Sequence, residues 1–182
     1  MSGDVRARRL DNEWAFLARL VAHNPGVVEA VKRERQPDAD LFHVVLHFTS
    51  GLGLGSPRAV LTSHAVVFRY PEYYPSVPIE AFLTTPVFHP NVHAGTGFVC
   101  LWSRHSSGDT ILEAVRQLQR VITWELKNSD AEHVMQPDAL SWAPDVALPL
   151  PCNPISVPLD LQQERTYASK PANARRRHRL SY

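Results

Sequence analysis

Lysine is scarce in this 182-residue chain, occurring only at Lys32, Lys127 and Lys170, and arginine carries most of the positive charge. Cysteine occurs twice, at Cys100 and Cys152. Two thiols in a chain of this size exclude a disulfide framework and fit a reduced, cytoplasmic setting. Charge of one sign is also missing, because acids and bases balance to a net +1. That balance leaves no global field to hold nucleic acid or a membrane surface, and neither is expected as a partner. No apolar run approaches the roughly 20 residues that cross a bilayer. The opening MSGDVRARRLDNEW has no apolar segment of the secretory type, so no export signal is expected. Glycine clusters only at Gly51, Gly53 and Gly55, without the lysine and helix start of a phosphate loop, which predicts a hairpin turn there. What remains is a 44% apolar chain, ordinary for one globular domain with an extension.

Proline, by contrast, is abundant and placed in two blocks. In the first, Tyr70 to Cys100, it stands at 71, 75, 78, 86 and 90. Each proline removes a backbone donor and fixes φ, so this block cannot be helical and can be strand only in short pieces. Val77, Ile79, Ala81 and Leu83 alternate with Pro78, Glu80 and Phe82, predicting one half-buried strand. Beyond Thr85, Pro86, His89-Pro90-Asn91, Gly95 and Gly97 predict an ordered loop that delivers Cys100 between Val99 and Leu101.

Around that block the pattern reads as α+β. Leu10, Trp14, Leu17 and Val21, widened by Phe16 and Leu20, predict an amphipathic helix that Asn24-Pro25-Gly26 ends. Val27 to Val31, Leu41 to Phe48 and Ala59 to Arg69 predict three further strands. With short turns between them, an antiparallel meander of about four strands is expected, covered on one face by helices. His43, His47 and His64 fall on those strands and read as surface or satisfied sheet residues. After Cys100, Thr110 and Glu113 read as a capping box, and Ile111, Val115, Leu118 and Ile122 share one helical face. The second proline block begins near Met135, which divides the chain into a domain over residues 1–135 and a Pro-rich extension over 136–182. The extension ends in the basic run Arg175-Arg176-Arg177-His178-Arg179. It is expected to wrap the domain in extended form or to be partly disordered.

Several of these residues form a pattern. Tyr74-Pro75 and Pro78 precede a short strand with Phe82 and Thr84; His89-Pro90-Asn91 follows; Gly97, Cys100 and Leu101 close it. This resembles the core of the ubiquitin-conjugating enzymes, more loosely from about residue 6 to residue 135. Trp102 stands where that family usually has an acidic residue, and the span from Asn91 to Cys100 is one residue longer than the family's. The resemblance implies a carrier whose cysteine accepts a ubiquitin-like protein from an activating enzyme as a thioester and passes it to an amine, usually lysine, of a protein target. No cofactor or metal is implied. Cys100 becomes the nucleophile and Asn91 the oxyanion donor, or alternatively the source of an internal loop hydrogen bond. Asp130 becomes the acid that positions the incoming lysine, with Asp109 in reserve. His89 becomes structural, its imidazole bonding loop carbonyls, and Arg6, Arg8 and Arg9 become contacts for the activating enzyme. The truncated helical C-terminus, short loops and arginine bias look more like bacterial relatives, which occur beside activating enzymes, ubiquitin-like proteins and metal-dependent deconjugating peptidases, often in antiphage defence.

The chemistry suits the residue. A thiolate is both nucleophile and leaving group, as a carrier that accepts and donates an acyl group requires. Two other chemistries fit less well. His89, His93, Cys100 and His105 offer zinc ligands, but on a loop and without a second cysteine pair. A papain-like hydrolase places its cysteine at a helix N-terminus, and Cys100 precedes a polar loop. A module of the same fold that binds a ubiquitin-like protein without transferring it is the remaining alternative.

Overall fold

A computed structural model describes residues 2–130, 132–142 and 146–158. It is α+β, with a five-stranded antiparallel sheet in the order β1-β2-β3-β4-β5 and helices before and after it. The strands are β1 (Val28–Arg35), β2 (Ala39–Leu52), β3 (Val60–Pro71), β4 (Glu80–Leu83) and β5 (Phe98–Val99). The helices are α1 (Ser2–His23), α2 (Ile111–Ile122) and the one-turn α3 (Asp138–Ser141). No helix among the described residues is long and apolar enough to cross a membrane.

The predicted stripe on α1 is present, with Leu10, Leu17 and Leu20 buried and Trp14 and Phe16 packed at its margin. Glu13 is buried on the same face, which the apolar period gave no reason to expect. Asn24 ends the helix by donating from its side chain to the Leu20 carbonyl at 2.8 Å. The same amide also donates to the Ser156 carbonyl at 2.9 Å, tying the helix end to the distant extension.

The strand pattern differs from the sequence reading at several places. β1, expected to end at Val31, runs on to Arg35. Gly51 lies inside β2 rather than in a turn, and a Cβ there would stand 2.7 Å from Ile122 Cγ2. Glycine at 51 therefore serves close packing of α2 on the sheet. The strand reading over Val77–Leu83 shortens to Glu80–Leu83, because Pro78 supplies no donor to a ladder. The loop after Thr85 contains β5, which pairs Val99 with Ala81 and Phe98 with Phe82. Two residues are too few to show an alternation, so β5 has no signature of its own.

α2 carries the main core contact. Ile111, Leu112, Ala114, Val115, Leu118, Val121 and Ile122 are all buried. Its start is held by the Thr110–Glu113 pair, with Thr110 N–H donating to the Glu113 carboxylate at 3.0 Å. Glu13 adds a second cap, accepting the Ile111 N–H at 2.8 Å.

Of the extension, residues 146–158 wrap the domain in extended form. Pro151 accepts from the Ser50 N–H at 3.0 Å, and the Asn153 N–H donates to the Phe48 carbonyl at 2.9 Å. Ile155 and Val157 enter the main apolar cluster. A second cluster of Leu52, Phe88, Trp124, Ala139 and Leu150, with Trp142 against it, joins the extension to the loop before β5. The basic run at 175–179 lies outside the described residues. His43 and His47 are part-exposed, whereas His64 is buried with neither ring nitrogen hydrogen-bonded in good geometry. Burial lowers the His64 pKa, which keeps the ring neutral.

Candidate active site

Cys100 sits where β5 leaves the sheet, as a free and partly exposed thiol. What delivers it there is the sharp return at Gly97. This residue has φ +69°, and a Cβ would overlap the Leu83 carbonyl oxygen. Only glycine fits, and the closeness allows Leu83 N–H to reach the Gly97 carbonyl at 2.8 Å.

Asn91 is bonded to Cys100 twice. The Cys100 N–H donates to the Asn91 carbonyl at 2.8 Å, and Asn91 Nδ2 donates to the Cys100 carbonyl at 3.0 Å. Asn91 Oδ1 accepts the Asn128 N–H at 2.6 Å. A carbonyl on one side and an N–H on the other fix the orientation of the carboxamide. The residue is 5% exposed, so these are buried and necessary bonds. A carboxamide nitrogen has two hydrogens, and only one is used on the Cys100 carbonyl. The loop role and a donor role for Asn91 are therefore compatible.

His89 is fully buried. Its Nδ1 accepts the Asn91 N–H at 3.0 Å, so it organises the loop as an acceptor rather than by donating to loop carbonyls. Burial, with the charge of Lys127 adding to it, pushes its pKa down to about 3. The ring is neutral, and an accepting Nδ1 puts the proton on Nε2. It stands edge-to-face on Trp124, with ring centroids 4.7 Å apart.

Asp130 reaches the same neighbourhood through Asn128. Its N–H donates to Asn128 Oδ1 at 3.0 Å, and Asn128 N–H in turn donates to Asn91. Three hydrogen-bonded steps thus link Cys100, Asn91, Asn128 and Asp130. The Asp130 side chain is 57% exposed and pairs with His133 Nδ1 at 2.8 Å. That hydrogen bond holds its carboxyl below the usual carboxylate range. Asp109 is committed elsewhere. Its Oδ2 accepts the Ser106 N–H at 2.8 Å, and its carbonyl lies 3.2 Å from the Tyr74 hydroxyl.

Asn128 and Gln136 are two side chains of this region that no sequence pattern signals. Gln136 is buried and donates from Nε2 to the carbonyls of Val87 (2.9 Å) and Val92 (2.8 Å). With Met135 N–H on the Pro90 carbonyl at 2.9 Å, it straps the segment after α2 against the His89-Pro90-Asn91 loop. Single polar residues in loops carry no period, so only the fold gives them a role. Trp102 is also a tether: its Nε1 donates to the Ile79 carbonyl at 2.7 Å, pinning the chain just past Cys100 to the strand entry.

Tyr74 belongs to the frame behind the site. Its hydroxyl donates to Glu13 at 2.8 Å and accepts from Arg9 Nη2 at 3.2 Å. Arg9 also donates to the Ser107 carbonyl at 2.8 Å, so it spans α1 and the loop before α2. Arg6 is turned to Asp40 at 3.1 Å and the Tyr70 carbonyl at 3.2 Å. Burial raises the Glu13 pKa, and the Ile111 N–H and Tyr74 hydroxyl oppose that rise.

No group of three or more His, Cys, Asp or Glu side chains among the described residues is placed to hold a metal ion. His93 bonds locally instead, with Nδ1 accepting the Thr96 N–H at 3.1 Å. His105 lies against the Pro75 carbonyl at 3.0 Å. No protein-family model matches the chain, and no curated protein matches it.

Proposed function

We propose that this protein is a thioester carrier of the ubiquitin-conjugating type. Cys100 accepts the C-terminal carboxyl of a ubiquitin-like protein from an activating enzyme and passes it to an amine of a target protein. The observation that carries this reading is the pair of hydrogen bonds between Asn91 and Cys100, one from backbone to backbone and one from the buried Asn91 carboxamide, which hold a partly exposed thiol on a stiff loop. The five-stranded antiparallel sheet, the helix before it and the helix after the cysteine loop are compatible with that fold.

In the loading step the Cys100 thiolate attacks the donor thioester and the donor sulfur departs. In the transfer step an amine attacks the Cys100 thioester. Each passes through a tetrahedral oxyanion. The second N–H of Asn91 stabilises it, an effect worth about 2.7–4 kcal/mol where such donors have been removed. A neutral donor does not repel the incoming amine. Asp130, ionised through the neutral range, attracts and orients the ammonium before it loses its proton.

A non-transferring module that binds a ubiquitin-like protein is the second reading. It draws on the two loop bonds of the Asn91 side chain, which account for that residue without catalysis. The experiment that separates them incubates the protein with activating enzyme, nucleotide triphosphate and modifier. The carrier gives an adduct cleaved by reductant, Cys100→Ser gives a reductant-stable ester or none, and Cys100→Ala gives none. An adduct formed equally by Cys100→Ala ends the carrier reading.

A further inference from the structure

Arg58 is a positive charge held in place without an acid. It lines a cavity of about 300 Å³ together with Ser56, Pro57 and Trp142, where the hairpin between β2 and β3 meets the chain just after α3. Its guanidinium carbon lies 3.1 Å from the centre of the Phe88 ring, and Nη1 donates to the carbonyls of Leu54 at 3.3 Å and Gly55 at 3.4 Å. Arg6, Arg33, Arg69 and Arg120 each meet a carboxylate, whereas Arg58 meets none among the described residues. A guanidinium carries five N–H groups in a fixed fork. The hairpin carbonyls engage those of Nη1, which leaves the edge formed by Nε and Nη2 without a partner among the described residues. An edge of this kind grips a carboxylate through two parallel hydrogen bonds. The other wall is aromatic: Trp142 stands edge-to-face on Phe88 at 5.7 Å and packs on Trp124 at 5.2 Å. A volume of about 300 Å³ is at the small end for ligand sites, with room for one ring and an acid group rather than for a length of chain.

We infer that this cavity binds a small aromatic carboxylate, with the acid group on the Nε–Nη2 edge of Arg58 and the ring against Trp142. The Arg58 arm is already fixed by the Phe88 face and the two carbonyls, so little side-chain freedom is lost when the ligand enters. A neutral aromatic leaves the charged edge unmatched, and an acid without a ring leaves the Trp142 face in water. None of the four lining residues belongs to the Cys100 site, so the assignment stands whether or not that thiol carries an acyl group. The two places are nonetheless neighbours. Phe88 under the guanidinium directly precedes His89, and the His89 ring stands on Trp124, so the cavity floor and the frame of the Cys100 loop share one aromatic group.

The test titrates the full, isotope-labelled chain with phenylacetate at neutral pH and follows the indole N–H signals of its four tryptophans by NMR. The expected result is a saturable shift of the Trp142 signal, with those of Trp14 and Trp102 unmoved. Phenylacetamide, the uncharged isostere, should bind about tenfold or more weakly for want of the charge-assisted bonds. Acetate, which lacks the ring, should be weaker by about tenfold or more as well. Arg58→Lys keeps the charge without the fork and should weaken phenylacetate by about tenfold, its Trp14 and Trp102 signals reporting that the variant is folded. A shift that never saturates, equal binding of phenylacetamide or of acetate, or unchanged binding by Arg58→Lys overturns the assignment. N-acetyl-Gly-Phe offers the same ring and acid at a peptide end; if it binds more tightly than phenylacetate, the occupant is a protein C-terminus and the assignment to a small molecule falls. Should Arg58→Lys fail to fold, the ranking of the probes on the unsubstituted chain still decides. Loading of Cys100 enters none of these readouts, so their failure leaves the carrier reading standing.

Discussion

Replacing Asn91 by aspartate isolates what its carboxamide does, because the two side chains have the same shape. Oδ1 survives and still accepts the Asn128 N–H, now as a charge-assisted bond. The other terminal atom changes from a donor to an oxygen, facing the Cys100 carbonyl oxygen at a position where nitrogen stood 3.0 Å away. One bond is lost, about 1 kcal/mol net, and a buried carbonyl is left without its donor, about 1–3 kcal/mol more. Allowing about 1 kcal/mol for the strengthened Asn128 bond leaves a destabilisation of about 2 kcal/mol at neutral pH. Protonation restores a donor, so the folded state favours the acid and raises this carboxyl above its unfolded value of about 3.9. At 1.36 kcal/mol per unit, 2 kcal/mol corresponds to a rise of about 1.5 units. The unfolded chain then loses its proton first as pH rises. The deficit is small near pH 4, grows to about pH 5.5 and is constant above it. Urea unfolding of both proteins between pH 4 and 8 measures this directly. A deficit below about 0.5 kcal/mol at pH 7, or one that does not change with pH, refutes the geometry assigned to Asn91.

Other perturbations read other parts of the same frame. Gly97→Ala forces a Cβ onto the Leu83 carbonyl at a left-handed φ, and the expected cost of roughly 2–4 kcal/mol lowers Tm by about 5–15 °C in a thermal melt. An unchanged Tm contradicts the close approach. For Glu13 the folded pKa is raised, so its contribution to stability is greatest below the unfolded value of about 4.3 and is lost as pH rises through the folded one. Glu13→Gln should therefore gain on the wild type between pH 4 and 8 in chemical denaturation, and parallel pH curves would falsify the buried-acid account. Asp130→Asn should load Cys100 normally yet slow transfer to free lysine by roughly 10²-fold in single-turnover assays. In the wild type His133 holds the Asp130 carboxyl low, so the wild-type transfer rate should show no inflection from Asp130 through the neutral range; equal loading and transfer in both proteins removes Asp130 from the site.

Local features of the chain read correctly where a residue type dictates backbone behaviour or a period spans several turns. The apolar stripe from Leu10 to Leu20 and the face from Ile111 to Ile122 define α1 and α2. The prolines between Tyr70 and Pro90 mark a block with only short strands. Gly97 before Phe98-Val99-Cys100 already suggests a turn that presents a thiol. Other features were illegible for identifiable reasons. Gly51 looks like a turn residue in sequence, but its lack of a side chain is spent on admitting Ile122. Glu13 on an apolar face is explained by partners 61 and 98 residues away, Tyr74 and Ile111.

By itself, then, the sequence determined α1 and α2, the antiparallel meander as far as β4, the stiff loop and the identity of the one thiol at its end, because propensity, proline, glycine and periodicity act within a few residues. Only the tertiary structure decided that Asn91, Asn128 and Asp130 form a ladder beside Cys100, that Gln136 straps the loop from below and that residues 146–158 close the core. Those relations are hydrogen bonds and apolar contacts between distant segments. Their partners are chosen by which buried donors and acceptors are left to satisfy once the sheet and α2 have packed, and no local pattern encodes that choice.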